Sequence, residues 1–110
     1  MRRALIVSLI LVGCGHPPSS GHPPEALLRA PSYCDLGKPM TLDATGSSDP
    51  DGDIIGYRFV VADGSAARET VEPVVTVPCR IAGLIEVMVE VRDVQGNTGQ
   101  ARAVVSVRRR

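Results

Sequence analysis

The stretch LIEVMVEVRD, residues 84–93, constrains this chain more than any other. Ile85, Val87, Val89 and Val91 take every second place, and Glu86, Met88, Glu90 and Arg92 stand between them. A period of two sends one set to each face of a half-buried strand. QARAVVSVR repeats the pattern, with Ala101, Ala103, Val105 and Val107 set against Arg102, Val104 and Ser106. Between the two lies DVQGNTG, residues 93–99, whose Gly and Asn suit a hairpin turn.

The same period recurs upstream. In LGKPMTLDA, Met40, Leu42 and Ala44 alternate with Thr41 and Asp43. In IIGYRFVVA, Tyr57, Phe59 and Val61 share a face opposite Arg58 and Val60. TVEPVVTVP, residues 70–78, is β-branched, but Pro73 cannot donate to a ladder and marks an edge, a bulge or a strand start. LLRAP, residues 27–31, supplies a short first strand. From residue 25 onward strands are signalled and helices are not. A length of 110 residues suits one domain, and 11 Gly with 9 Pro mark frequent turns. With aromatics at 3% and no Trp, the core must come from Val, Ile, Leu and Ala. The fold class expected is all-β, an Ig-like antiparallel β-sandwich. Twelve basic against twelve acidic residues argue against a nucleic-acid surface.

The chain begins differently. MRRALIVSLILVGC carries Arg2 and Arg3, then an apolar run from Ala4 to Val12 broken only by Ser8. That run is too short to span a bilayer and reads as a secretory signal. LVGC, residues 11–14, resembles the bacterial lipobox. The resemblance implies cleavage before Cys14 and lipid on Cys14, with residues 1–13 removed as signal peptide. Gly15 in place of Asp points to outer-membrane sorting, so the expected location is the cell envelope, lipid-anchored. Several acyl chains on Cys14 would make a stable anchor, because each buried methylene contributes roughly 0.8 kcal/mol. GHPPSSGHPPEA follows, with His-Pro-Pro at 16–18 and again at 22–24. Residues 14–26 are expected to form a semi-extended tether, and the domain to occupy 27–110. His16 and His22 make poor metal ligands on such a linker.

Within the domain, GKPMTLDATGSSDPDGDIIGYRF resembles the first half of a PKD (polycystic kidney disease) domain. AGLIEVMVEVRDVQGNTGQARAVVSV resembles the second half, and together they cover residues 32–107. The family usually carries Trp-Asp-Phe-Gly-Asp-Gly after its aromatic strand. Here RFVVADGS keeps Asp63 and Gly64 but puts Arg58 or Phe59, depending on register, where the Trp is expected.

Cys34 and Cys79 remain in a domain expected to be exported, and an oxidising compartment favours a disulfide between them. In an Ig-like sandwich Cys34 precedes the strand at 38–44 and Cys79 follows the strand at 70–77. Those strands are expected to be antiparallel neighbours, which brings both cysteines to one end. A catalytic thiol lacks a base, because His16 and His22 both sit on the tether.

GSSDPDGD, residues 46–53, is the chemical outlier. In the same topology it lies beside the 93–98 hairpin, so Asp49, Asp51, Asp53 and Asp93 could converge. Carboxylates in a flexible loop suit Ca²⁺, and the resemblance implies calcium at this end in some family members. A tight solvated turn accounts for the same residues. Both readings stay open.

No catalytic triad and no second lobe to form a cleft are visible, so no enzyme is expected. The resemblances imply a lipid-anchored, non-catalytic module of the bacterial cell envelope for protein–protein contact, adhesion or spacing. A carbohydrate-binding module is the alternative. Tyr57 and Phe59 are committed to the core, leaving Tyr33 as a sugar platform. The expected partners are the membrane, through the lipid, and an envelope protein or polysaccharide.

Overall fold

The computed structural model describes residues 22–109, so the signal segment, Cys14 and His16 lie outside the described residues. Seven strands follow in chain order: β1 (Tyr33–Asp35), β2 (Pro39–Asp43), β3 (Ile54–Val61), β4 (Arg68–Thr70), β5 (Val74–Pro78), β6 (Gly83–Asp93) and β7 (Thr98–Arg108). One sheet has the order β1-β7-β6-β3-β4, and the other pairs β2 with β5. No α-helix occurs among the described residues. The expected all-β sandwich is what forms.

The period-two segments make the long strands. β6 and β7 pair through ten registered positions, from Gly83 opposite Val107 to Arg92 opposite Thr98. Ile85, Val87, Val89 and Val91 face inward and are buried. Tyr57, Phe59 and Val61 stand opposite Val91, Val89 and Val87, so the aromatic face of β3 closes on the valines of β6. Phe59 is 2% exposed, while Arg58 lies on the outer face opposite Glu90. This register puts Phe59, not Arg58, in the place of the missing Trp. Leu42 from β2 and Val75 from β5 close the core from the second sheet. Each such side chain stabilises the fold by about 1.5–3 kcal/mol over leaving it exposed.

Three local expectations are corrected. The 70–77 strand is divided: Thr70 ends β4, and β5 begins at Val74. Pro73 is the reason. It has no amide to donate, and its carbonyl accepts from the Ala44 amide at 2.8 Å. Cys34 does not merely precede a strand but lies within β1, which pairs with β7 in parallel, Cys34 opposite Val107. Residues 27–31 make no continuous strand. Instead the chain makes two isolated bridges, Glu25 to Ser48 in the loop after β2 and Arg29 to Asp43 at the end of β2.

The packed domain also begins earlier than residue 27. Pro24 is buried and lies directly over Gly99, where a Cβ would collide with the Pro24 carbonyl oxygen. The tether therefore enters beside the 93–97 turn. Arg108 ends β7 at the other end of the molecule. Nine residues of extended chain separate Gly99 from Arg108, about 30 Å, within overall dimensions of 57 × 28 × 21 Å.

The sheet edges are short or covered. β1 and β4 have three residues each. β5 is bounded by Pro73 and ends in Pro78. β2 has five residues, and Arg29 bridges its last one, Asp43. These are the ordinary ways of blunting an edge against strand addition.

Candidate functional site

Four turns of the domain are built alike. The amides of Thr45, Asp51, Ser65 and Gln95 donate to carboxylate oxygens of Asp43, Asp49, Asp63 and Asp93, each two residues back. An aspartate that accepts its own chain's amide two positions on fixes a tight turn without help from a ligand. Asp49 is thus one of four residues doing the same structural job.

Two of these turns meet at the tether end. Asp53 accepts the Val94 amide through its carbonyl at 3.0 Å, and the carboxyls of Asp49 and Asp93 come close enough to shift each other's titration, with Asp49 Oδ2 buried and without a hydrogen-bond partner among the described residues. Asp93 is fully buried, the only charged residue in the core of the described structure. Its Oδ1 accepts from the Asn97 amide at 2.8 Å and the Gln95 amide at 3.0 Å, and its Oδ2 from Asn97 Nδ2 at 3.3 Å. Burial pushes the Asp93 carboxyl up, but the Asn97 donors, Asp49 and the Gln95 amide outweigh it and hold it below the usual range. Asp49 moves the other way. Burial raises it, the Asp51 amide opposes, and the Asp93 carboxylate raises it further. Asp49 is therefore the member of the pair that holds a proton more readily.

This arrangement decides how the four expected metal ligands are used. Asp49 and Asp93 come together, while Asp51 and Asp53 are exposed. Among the described residues no three acidic, His or Cys side chains gather closely enough to hold a metal ion. Only Asp49 and Asp93 meet here, and the oxygens of Asp93 already receive three N–H donors. The donor set does not fit Ca²⁺, which takes six to eight oxygens. Asn97, unremarked in the sequence, is the residue that secures Asp93. Its signal was an Asp at the head of a Gly-Asn turn.

The second pair of expected residues is joined. Cys34 and Cys79 form a disulfide with Cα atoms 6.6 Å apart. β2 and β5 are antiparallel, with Pro39 opposite Pro78, so the start of one and the end of the other share an end of the domain, as expected.

A groove of about 310 Å³ crosses the outer face of β3, β4 and β6. A register shift between Ile54 and Gly56 opens it, and Gly56 leaves its floor without a side chain. Ile55 and Val71 form apolar walls, and Arg58, Glu69, Glu90 and Arg92 supply charge. Arg58 Nε lies 3.6 Å from Glu69. Sequence reading missed this groove, because only the bulge sets Gly56 between the charged rows.

A family model described as "PKD domain" matches residues 21–107. The chain belongs to the PKD domain family. Solved structures agree on the fold of this PKD domain. The PKD1 domain of Vibrio anguillarum Epp matches with a TM-score of 0.66 at 20% identity, over 83% of this chain and 100% of that one. The PKD1 domain from Vibrio cholerae metalloprotease PrtV matches at 0.63 and 24% identity, over 78% and 98%. A structure from work on the promiscuous specificity of carbohydrate-binding modules of the β-sandwich superfamily matches at 0.75 and 25% identity. It is covered over only 35% of its own length, for 80% of this chain. No curated protein sequence matches the chain.

Proposed function

We propose that this PKD domain is a lipid-anchored, non-catalytic module of the bacterial cell envelope that acts by contact and spacing. The observation that carries the reading is the junction of tether and domain. A lipobox-like LVGC at 11–14 is followed by a His-Pro-Pro repeat, and the packed domain takes up at Pro24, the last residue of its second copy. The tether enters at one end and Arg108 leaves at the other, so a domain held by Cys14 would present its far end and its sheet faces to partners. Localisation at the outer membrane follows from Gly15 and belongs to the same proposal. Metabolic labelling with a fatty acid tests the anchor: the wild-type chain should incorporate label and fractionate with membranes, and Cys14→Ser should do neither. Label in the Cys14→Ser chain would remove the anchor from the proposal. A pull-down from envelope extract with the full chain then tests the contact role through a partner retained reproducibly.

The outer-face groove favours a second reading, carbohydrate binding. Its paired Arg and Glu side chains suit sugar hydroxyls, its volume falls at the small end of ligand sites, and one structural relative comes from work on carbohydrate-binding modules. Retention on an insoluble polysaccharide that Arg58→Ala weakens would support it. Unchanged retention in that variant would remove the groove from consideration.

A further inference from the structure

We infer that the disulfide end of the domain, opposite the tether, is a docking tip for an anionic lipid surface. Three backbone hydrogen bonds tie its turns together: Leu36 N to Arg108 O at 2.7 Å, Gly37 N to Cys79 O at 2.8 Å and Cys79 N to Lys38 O at 2.8 Å. Large apolar side chains emerge from this rigid end. Tyr33 is 52% exposed, Ile81 48% and Leu84 78%. Tyr33 and Leu84 both stand opposite Ser106, one on each side, in a single row of the outer face. One exposed leucine needs no explanation. Three such residues at one end of a small domain mark a contact surface.

Charge selects the partner. Lys38, Arg80, Arg108 and Arg109 surround the apolar residues and are exposed. The carboxylates near them are Asp35, 3.6 Å from Arg108, Asp63, which Arg80 lowers, and Glu86, one outward row from Leu84 and 3.9 Å from Arg102. Five cations, Arg102 included, against three carboxylates leave this end positive. The tether end is the reverse, with Glu25, Asp43, Asp49, Asp51, Asp53 and Asp93 set against Arg29 and Arg92. A negative surface therefore attracts one end of the domain and repels the other.

The apolar members favour lipid over a soluble polyanion. A polysaccharide or acidic peptide has no use for Leu84 and Ile81, whereas a bilayer interface takes up apolar tips beneath its headgroups. The Arg108 guanidinium lies 3.7 Å from the Tyr33 ring centroid, which covers a face that a sugar would stack on. Tyrosine and arginine also suit headgroup depth, having an apolar body and a polar tip.

The chain contains no Trp, so single tryptophans report on each end. Leu84→Trp and Val94→Trp are made in the full chain, since both positions are exposed. Each is mixed with vesicles of phosphatidylglycerol or of phosphatidylcholine. The emission of the Leu84→Trp chain should shift to the blue with phosphatidylglycerol only. The emission of the Val94→Trp chain, whose reporter sits at the acidic end, should not shift. Adding Arg80→Gln and Arg109→Gln to Leu84→Trp should weaken the response about fivefold per cation removed. This reading does not depend on Cys14, because an anchored N-terminus alone would shift the Val94→Trp chain at least as much as the Leu84→Trp chain. An unmoved emission in Leu84→Trp, an equal shift with both lipids, or a shift confined to Val94→Trp would each overturn the tip. So would retention of an envelope protein that Leu84→Asp abolishes while vesicles leave the Leu84→Trp emission unchanged.

Discussion

Asp49 and Asp93 act on each other's carboxyls across two docked turns, one raised and the other lowered from the ordinary value of 3.8. Their signs set opposite pH dependences. A raised carboxyl contributes stability that is present below the unfolded value and is lost as pH rises through the folded one. A lowered carboxyl contributes stability that is present above the unfolded value and is lost as pH falls through the folded one.

Asp49→Asn should therefore gain in melting temperature over the wild type as pH rises, because the raised Asp49 carboxyl loses its contribution as pH passes its folded value. The gain should narrow as pH falls through the Asp49 value. Asp93→Asn should lower the melting temperature at pH 7, with the loss shrinking below about pH 3.8. Thermal melts across pH 3–7 measure both, and equal signs for the two variants would contradict the assignment of the proton to Asp49.

Calcium should leave the melting temperature where chelator leaves it. Asp93 already accepts three N–H donors, and Asp51 and Asp53 are exposed to solvent. A folded-state ligand at a hundredfold excess over its dissociation constant would add about 2.7 kcal/mol, a shift that differential scanning calorimetry would resolve. Such a shift, lost in Asp51→Ala, would show that the turns rearrange around the ion.

Breaking the Cys34–Cys79 bridge should cost about 4 kcal/mol, from the loop entropy released when a 45-residue separation is no longer closed. Denaturant melts with and without reductant, compared with a Cys34→Ser, Cys79→Ser chain, measure it. The two routes should agree.

Gly99→Ala should destabilise by about 1–3 kcal/mol through overpacking, because the new methyl group meets the Pro24 carbonyl oxygen. The damage should be local. Hydrogen exchange at Glu25, whose amide donates to Ser48 O at 2.7 Å, should speed up far more than at Val89 in the core.

The sequence revealed those parts of the fold that depend on nearest neighbours along the chain. Alternation alone named the inward faces of β3, β6 and β7, and the placement of two cysteines named the bridge. What it hid depends on contacts between distant segments. β1 is only three residues long, and its parallel partner lies at the far end of the chain, so no local period could mark it. The turn at 71–73 breaks a run that reads as one strand, because Pro73 could equally have started or bulged it. Asp49, Asp51 and Asp53 look equivalent in sequence. Only the docking of one turn on another singles out Asp49, and only the Gly99 contact reveals that Pro24 belongs to the domain.

The blunt edges of the two sheets have a consequence for crowding. Copies of this domain brought side by side meet only edges of three to five residues. Edges that short leave most of any side-by-side contact to side chains. Such contacts separate as readily as they meet, where long flat edges would template strand addition and seed a fibril.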